Sequence, residues 1–146
     1  MRVLSLAFTF LLLASGSVFA LDKADEGVYA LVHKDGHVTK KIARLGQQDG
    51  RWRIEDRKPD GSWEDVTCEE GCALIETTPA QVTRFLEGTA LQGTTMQCVH
   101  NPAFAFCRVE RAGRRSYYML AFSGGAVIPL KWVRLDAETL EPAGAP

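Results

Sequence analysis

Past its first twenty residues the chain has no apolar run that approaches membrane-spanning length, and it has no marked excess of charge. Lys and Arg number 17 against 18 Asp and Glu. Without a strongly charged field there is little to attract nucleic acid or an anionic lipid surface. There are only three histidines, His33, His37 and His100, and no G-x-S-x-G elbow for an activated serine. The run of oxygen ligands around a central Gly that a calcium loop requires is missing. The four cysteines stand as C-x3-C and C-x8-C, spacings that do not match the usual zinc knuckles. No internal repeat and no interdomain linker breaks the chain. These gaps exclude most sequence-legible enzyme, metal and nucleic-acid classes; no cofactor is expected.

What is present begins at the N-terminus. Arg2 is followed by an almost purely apolar stretch, residues 3–13, then by Ala14-Ser15-Gly16-Ser17 and the small residues of Val18-Phe19-Ala20. That order of charge, apolar core and small-residue site is a Sec-type signal peptide with cleavage after Ala20. Its core is too short to span a bilayer. Leu21, where a lipoprotein would carry Cys, argues against a lipid anchor. Residues 21–146 are then a periplasmic or secreted chain, expected to be soluble, with a single domain over 21–137 and a flexible tail at 138–146.

Export decides the cysteine chemistry. Cys68, Cys72, Cys98 and Cys107 all lie in the mature part, and an even count in an oxidising compartment reads as two disulfides. The local pairs Cys68–Cys72 and Cys98–Cys107 are favoured. If Cys98 lies opposite Cys107, Val99 faces Phe106, His100 faces Ala105 and Gln97 faces Arg108. A hairpin over Pro102-Ala103 and the disulfide then share one register.

Turn signals recur about every ten residues and point to a mainly β domain: an antiparallel sandwich or partly closed barrel of about seven or eight strands. Eight strands are read at 28–33, 37–45, 51–56, 63–68, 96–100, 104–110, 117–122 and 126–135, with 73–76 as a short additional candidate. Within 51–56, Trp52 and Ile54 alternate with Arg51, Arg53 and Glu55, so one face is buried. Tyr117 to Phe122 is apolar on both faces and reads as a central strand, whereas Pro129 marks 126–135 as an edge or a bulge. Ala112 to Ser116 reads as one turn. One helix is expected at residues 79–87, with Thr78 and Gln81 forming a capping box and Val82, Phe85 and Leu86 forming its apolar stripe.

Three groups of side chains are candidates for function. Asp60, Trp63, Glu64, Asp65, Glu69 and Glu70 form an acidic loop with one aromatic, a candidate recognition surface for a protein partner. Arg108, Arg111, Arg114 and Arg115 form a second, basic patch. His33 and His37 flank an Asp-Gly turn and His100 borders another, which keeps a small hydrolase using these three in view. A small-ligand carrier with a cavity inside the barrel is a further alternative. In layout alone, an exported, disulfide-bonded β domain with a protruding loop, the chain is similar to small periplasmic inhibitor and immunity proteins. That layout implies a non-enzymatic protein that neutralises a protein partner such as an exported toxin or hydrolase, without nucleic acid and without a stable membrane anchor.

Overall fold

The computed structural model describes residues 20–67 and 72–136; residues 1–19, the expected tail and Cys68, Glu69 and Glu70 lie outside them. Among the described residues the chain is mainly β, with one α-helix and nine antiparallel strands in a sheet that curls into a half-barrel. The strands are β1 (Gly27–Val32), β2 (Val38–Gln48), β3 (Arg51–Arg57), β4 (Trp63–Asp65), β5 (Ile75–Glu76), β6 (Met96–His100), β7 (Phe104–Arg111), β8 (Arg114–Ser123) and β9 (Ala126–Leu135). Their order is β4-β3-β2-β1-β9-β8-β7-β6-β5. Each strand pairs with its sequence neighbour except at the ends, and the pairing of β9 with β1 joins the two meanders. The seam therefore falls between β4 and β5.

The seam is stitched rather than laddered. An isolated bridge joins Trp52 to Leu74. Val66 N–H and Thr67 Oγ1 both donate to Ile54 O. From the far side, buried Asn101 donates through Nδ2 to Thr67 O at 2.9 Å and Cys72 O at 3.3 Å. Its Oδ1 accepts from Ala103 N at 2.8 Å and Phe104 N at 3.0 Å, shaping the β6–β7 turn.

Period-2 alternation sends two sets of side chains to opposite faces. The concave face is filled by Tyr29, Leu45, Trp52, Ile54, Val99, Phe106, Tyr117 and Trp132. Tyr29 sits edge-on to Phe106 and Tyr117, with centroids 5.2 and 4.8 Å apart. On the convex face of β6–β8, Cys98, Ala105, Cys107, Val109 and Leu120 pack beneath α1 (Pro79–Leu86) through Val82 and Leu86. Thr78 and Gln81 form the expected capping box. β8 lies between β7 and β9 and contributes to both cores, Tyr117 on the concave face and Leu120 beneath the helix.

The β6–β7 register is the expected one, from Gln97 opposite Arg108 to His100 opposite Ala105. Cys98 and Cys107 are disulfide-bonded with Cα atoms 4.1 Å apart. Cys72 is disulfide-bonded as well; the expected Cys68 partner lies outside the described residues. Pro129 lies on a locally free edge, as expected: β9 is internal in the sheet order, but the β1 ladder reaches only from Leu31–Trp132 to Val28–Leu135 and leaves Pro129 without a β1 partner. One expectation needs correction. The β7–β8 turn is only Ala112-Gly113, both at positive φ (50° and 72°), so Arg114 and Arg115 belong to β8.

One end of the half-barrel is plugged by the segment that precedes β1. Leu21 is buried in the concave core, and a 3-10 turn, Lys23–Asp25, places Asp25 at 0% exposure. The Asp25 carboxylate accepts from Arg108 Nη1 at 2.5 Å, Tyr117 Oη at 3.0 Å and Asp22 N at 2.8 Å. Tyr29 Oη donates to the Asp25 carbonyl. Desolvation, reinforced by Tyr117 and Asp25, pushes the Tyr29 phenol far above its ordinary range, so it stays a donor.

Candidate functional site

The structure redistributes the sequence candidates. On β7, residues alternate between the helix-covered and concave faces, and Arg108 takes the concave side between Phe106 and the barrel end. It is 5% exposed and bound to Asp25 and Asp22. Arg115 is partly exposed and reaches the same two carboxylates at 3.4 and 3.7 Å. Arg111 and Arg114, paired across the hairpin tip, are exposed, and so is Arg115; only Arg108 is buried. Two of the four arginines, Arg108 and Arg115, also pair with the carboxylates of the plug.

The acidic group holds together better, but with a different character. β4 is an edge strand, and Glu55 opposite Asp65 and Arg57 opposite Trp63 put Asp65 and Trp63 on the convex face. Glu64, opposite Asp56, points the other way and pairs with Lys58 at 3.2 Å. Asp65 pairs with Arg53 at 2.7 Å, and Glu55 pairs with Arg44 at 2.6 Å. The Arg44 guanidinium lies 4.5 Å from the centroid of the half-exposed Trp63 ring. Asp60 caps its own turn by accepting from Ser62 N and Oγ. Partial burial tends to raise the Asp65 carboxyl, but hydrogen bonds from Thr67 and the nearby Arg53 outweigh it and hold it below the usual range.

A shallow cleft of about 580 Å³ opens beside this lattice, lined by Glu26, Gly46, Arg44, Arg53, Glu55 and Asp65 among others. The described carboxylates thus carry no bare negative field: all but Asp60 are matched by a cation on a neighbouring strand or turn. The face is a preorganised mosaic of both signs around one aromatic. Trp63 and Asp65 were legible as candidates. Arg44, Arg53 and Glu55 were not, because they lie eight or more residues away and are brought in only by strand pairing.

The three histidines do not converge. His100 lies under the helix, its Nδ1 2.8 Å from Thr77 Oγ1 and its ring edge-on to Phe85 at 5.4 Å. Burial lowers its pKa, against a weaker opposing bond with the Ile75 backbone. His33 and His37 sit instead on the β1–β2 turn, their rings stacked with centroids 4.8 Å apart. Between them lies Asp35, whose Oδ1 is 3.1 Å from His33 Nδ1 and 2.6 Å from His37 Nδ1. Asp35 entered the sequence reading only as a turn residue; its signal was the alternating H-x-D-x-H spacing. No protein family, curated protein or solved structure matches the chain.

Proposed function

We propose that this is an exported, non-enzymatic binding protein that docks a protein partner on the convex β2–β3–β4 face and thereby neutralises it, in the manner of an inhibitor or immunity protein. The observation that carries the reading is the Trp63 ring held under Arg44 and flanked by the Arg44–Glu55 and Arg53–Asp65 pairs. Trp and Arg dominate interface energetics because they combine large contact area with directional donors. Cross-strand pairing holds both in place before contact, which lowers the ordering cost of association. The cleft beside them gives a partner side chain somewhere to enter. The mosaic of charges favours a partner face of alternating sign over a uniformly basic one. A disulfide under the helix fits an oxidising compartment, and the N-terminal signal supports a periplasmic or secreted chain.

Pull-down from periplasmic extract tests this. Trp63→Ala should reduce recovery of the partner by about tenfold or more, equivalent to about 1.4 kcal/mol. Asp65→Lys should lower it further, because it sets a second cation beside Arg53 and breaks the alternation of charge on that face. Equal recovery with both variants, each folded by circular dichroism, defeats the proposal.

A further inference from the structure

The β1–β2 turn carries a second arrangement that the docking face does not use. The backbone closes the turn tightly: His33 N donates to His37 O and Gly36 N to His33 O, both at 2.8 Å. Asp35 Oδ1 accepts from His37 N at 3.1 Å, which turns its carboxylate back over the hairpin. That contact, followed by bonds from the two imidazoles, holds the Asp35 carboxyl below the usual range despite slight desolvation, so it is an anion at neutral pH. Two imidazoles therefore present the same Nδ1 edge to one carboxylate, and all three side chains are about half exposed or more.

We infer that His33, Asp35 and His37 form a surface site for a divalent transition-metal ion such as zinc. Two imidazole nitrogens and one carboxylate oxygen are a donor set for borderline ions rather than for calcium or magnesium, which prefer oxygen alone. The geometry fits. With bonds of about 2.0–2.1 Å, neighbouring donors of a tetrahedral zinc site stand about 3.3 Å apart. Here two of the separations are 2.6 and 3.1 Å, and all three donor atoms lie within 4.8 Å of one another. An ion entering between them needs only side-chain adjustment on an exposed turn. Binding replaces the two Nδ1–H bonds to Asp35: each imidazole must give up its Nδ1 proton and carry its proton on Nε2, leaving Nδ1 free to bind. Three protein donors leave at least one position open, for water or for a donor from another molecule. The site is separate from the Trp63 face and stands or falls without it.

Titrating zinc into the full, untagged chain, by calorimetry and by competition with a chromophoric chelator, tests the inference. One equivalent should bind with a Kd on the order of micromolar. His33→Gln and His37→Gln should each weaken binding by about tenfold or more. Asp35→Asn, which keeps the oxygen that accepts from His37 N, should do the same while leaving the turn closed. In histidine NMR spectra, the His33 and His37 ring signals should shift on saturation and those of His100 should not. Trp63→Ala should leave zinc affinity unchanged. No saturable binding below about 1 mM, or binding that survives both histidine substitutions, overturns the site.

Discussion

Asp25 has no exposed surface, and its carboxylate is the acceptor for Arg108, Tyr117 and a backbone amide of the plug. Replacing it with Ala leaves the buried Arg108 guanidinium only the half-exposed Asp22 carboxylate as a counter-charge and the Tyr117 hydroxyl without its acceptor. Removing one partner of a buried pair costs about 3–5 kcal/mol, chiefly because the remaining charge stays desolvated. Asp25→Ala should therefore lower the urea midpoint sharply. Asp25→Ala combined with Arg108→Met should recover much of the loss, since an apolar replacement of the pair removes the buried charge. If the double variant is no more stable than the single one, the network stabilises by some other route. Asp22, at the rim of this cluster, is held below the usual range despite desolvation, by the Ala24 amide and by Arg108 and Arg115.

Among the elements, α1 packs against a titratable ring. Its Phe85 meets the His100 ring, and Thr77, just before the helix cap, bonds Nδ1 of that ring. Burial lowers the His100 pKa below 6.5, so between its folded value and 6.5 the unfolded chain binds more protons than the folded one. The stability linked to His100 is therefore present above about pH 6.5 and is lost as the pH falls through that window. Unfolding midpoints measured from pH 7.5 to 5 should fall less steeply in His100→Gln, which keeps a polar group for Thr77. Parallel pH profiles for the two proteins would show that His100 is not coupled to folding.

At the scale of the whole molecule, Asn101 fastens Thr67 and Cys72 to the β6–β7 turn: its Nδ2 donates to their two carbonyls while its Oδ1 accepts two bonds within the turn. Asn101→Ala leaves buried backbone groups on both sides of the seam without partners, at a cost of about 2–4 kcal/mol. Hydrogen exchange should report the change unevenly: amides of β4, β5 and the Trp52–Leu74 bridge should lose protection, while the β1–β9 junction retains it. Uniform loss across the sheet would mean that the seam does not open separately.

Local chemistry made much of the fold legible. Asp-Gly, Gly-Gly and Pro-Asp-Gly turns placed the strand ends, and alternation placed Trp52 and Ile54 inside. The Thr78–Gln81 box started the helix, and the Cys98–Cys107 spacing carried the β6–β7 register, because each of these depends on residues within a few positions of one another. The candidate site was legible only in part. Trp63 and Asp65 stood out as residue types, but their guanidinium partners come from β2 and β3. Arg108 looked like a surface charge because no local pattern announces a carboxylate 83 residues earlier in the chain. Pro129 marked a locally free edge, but where the β1 ladder stops is set by the meeting of two distant strands. Periodicity and turn propensity are properties of neighbouring residues, so the sequence alone determined most strands and turns, the helix and the Cys98–Cys107 register, though not the bounds of the β7–β8 turn. Which charges are buried, paired or left on the surface depends on which distant strands meet, and only the tertiary structure decided that.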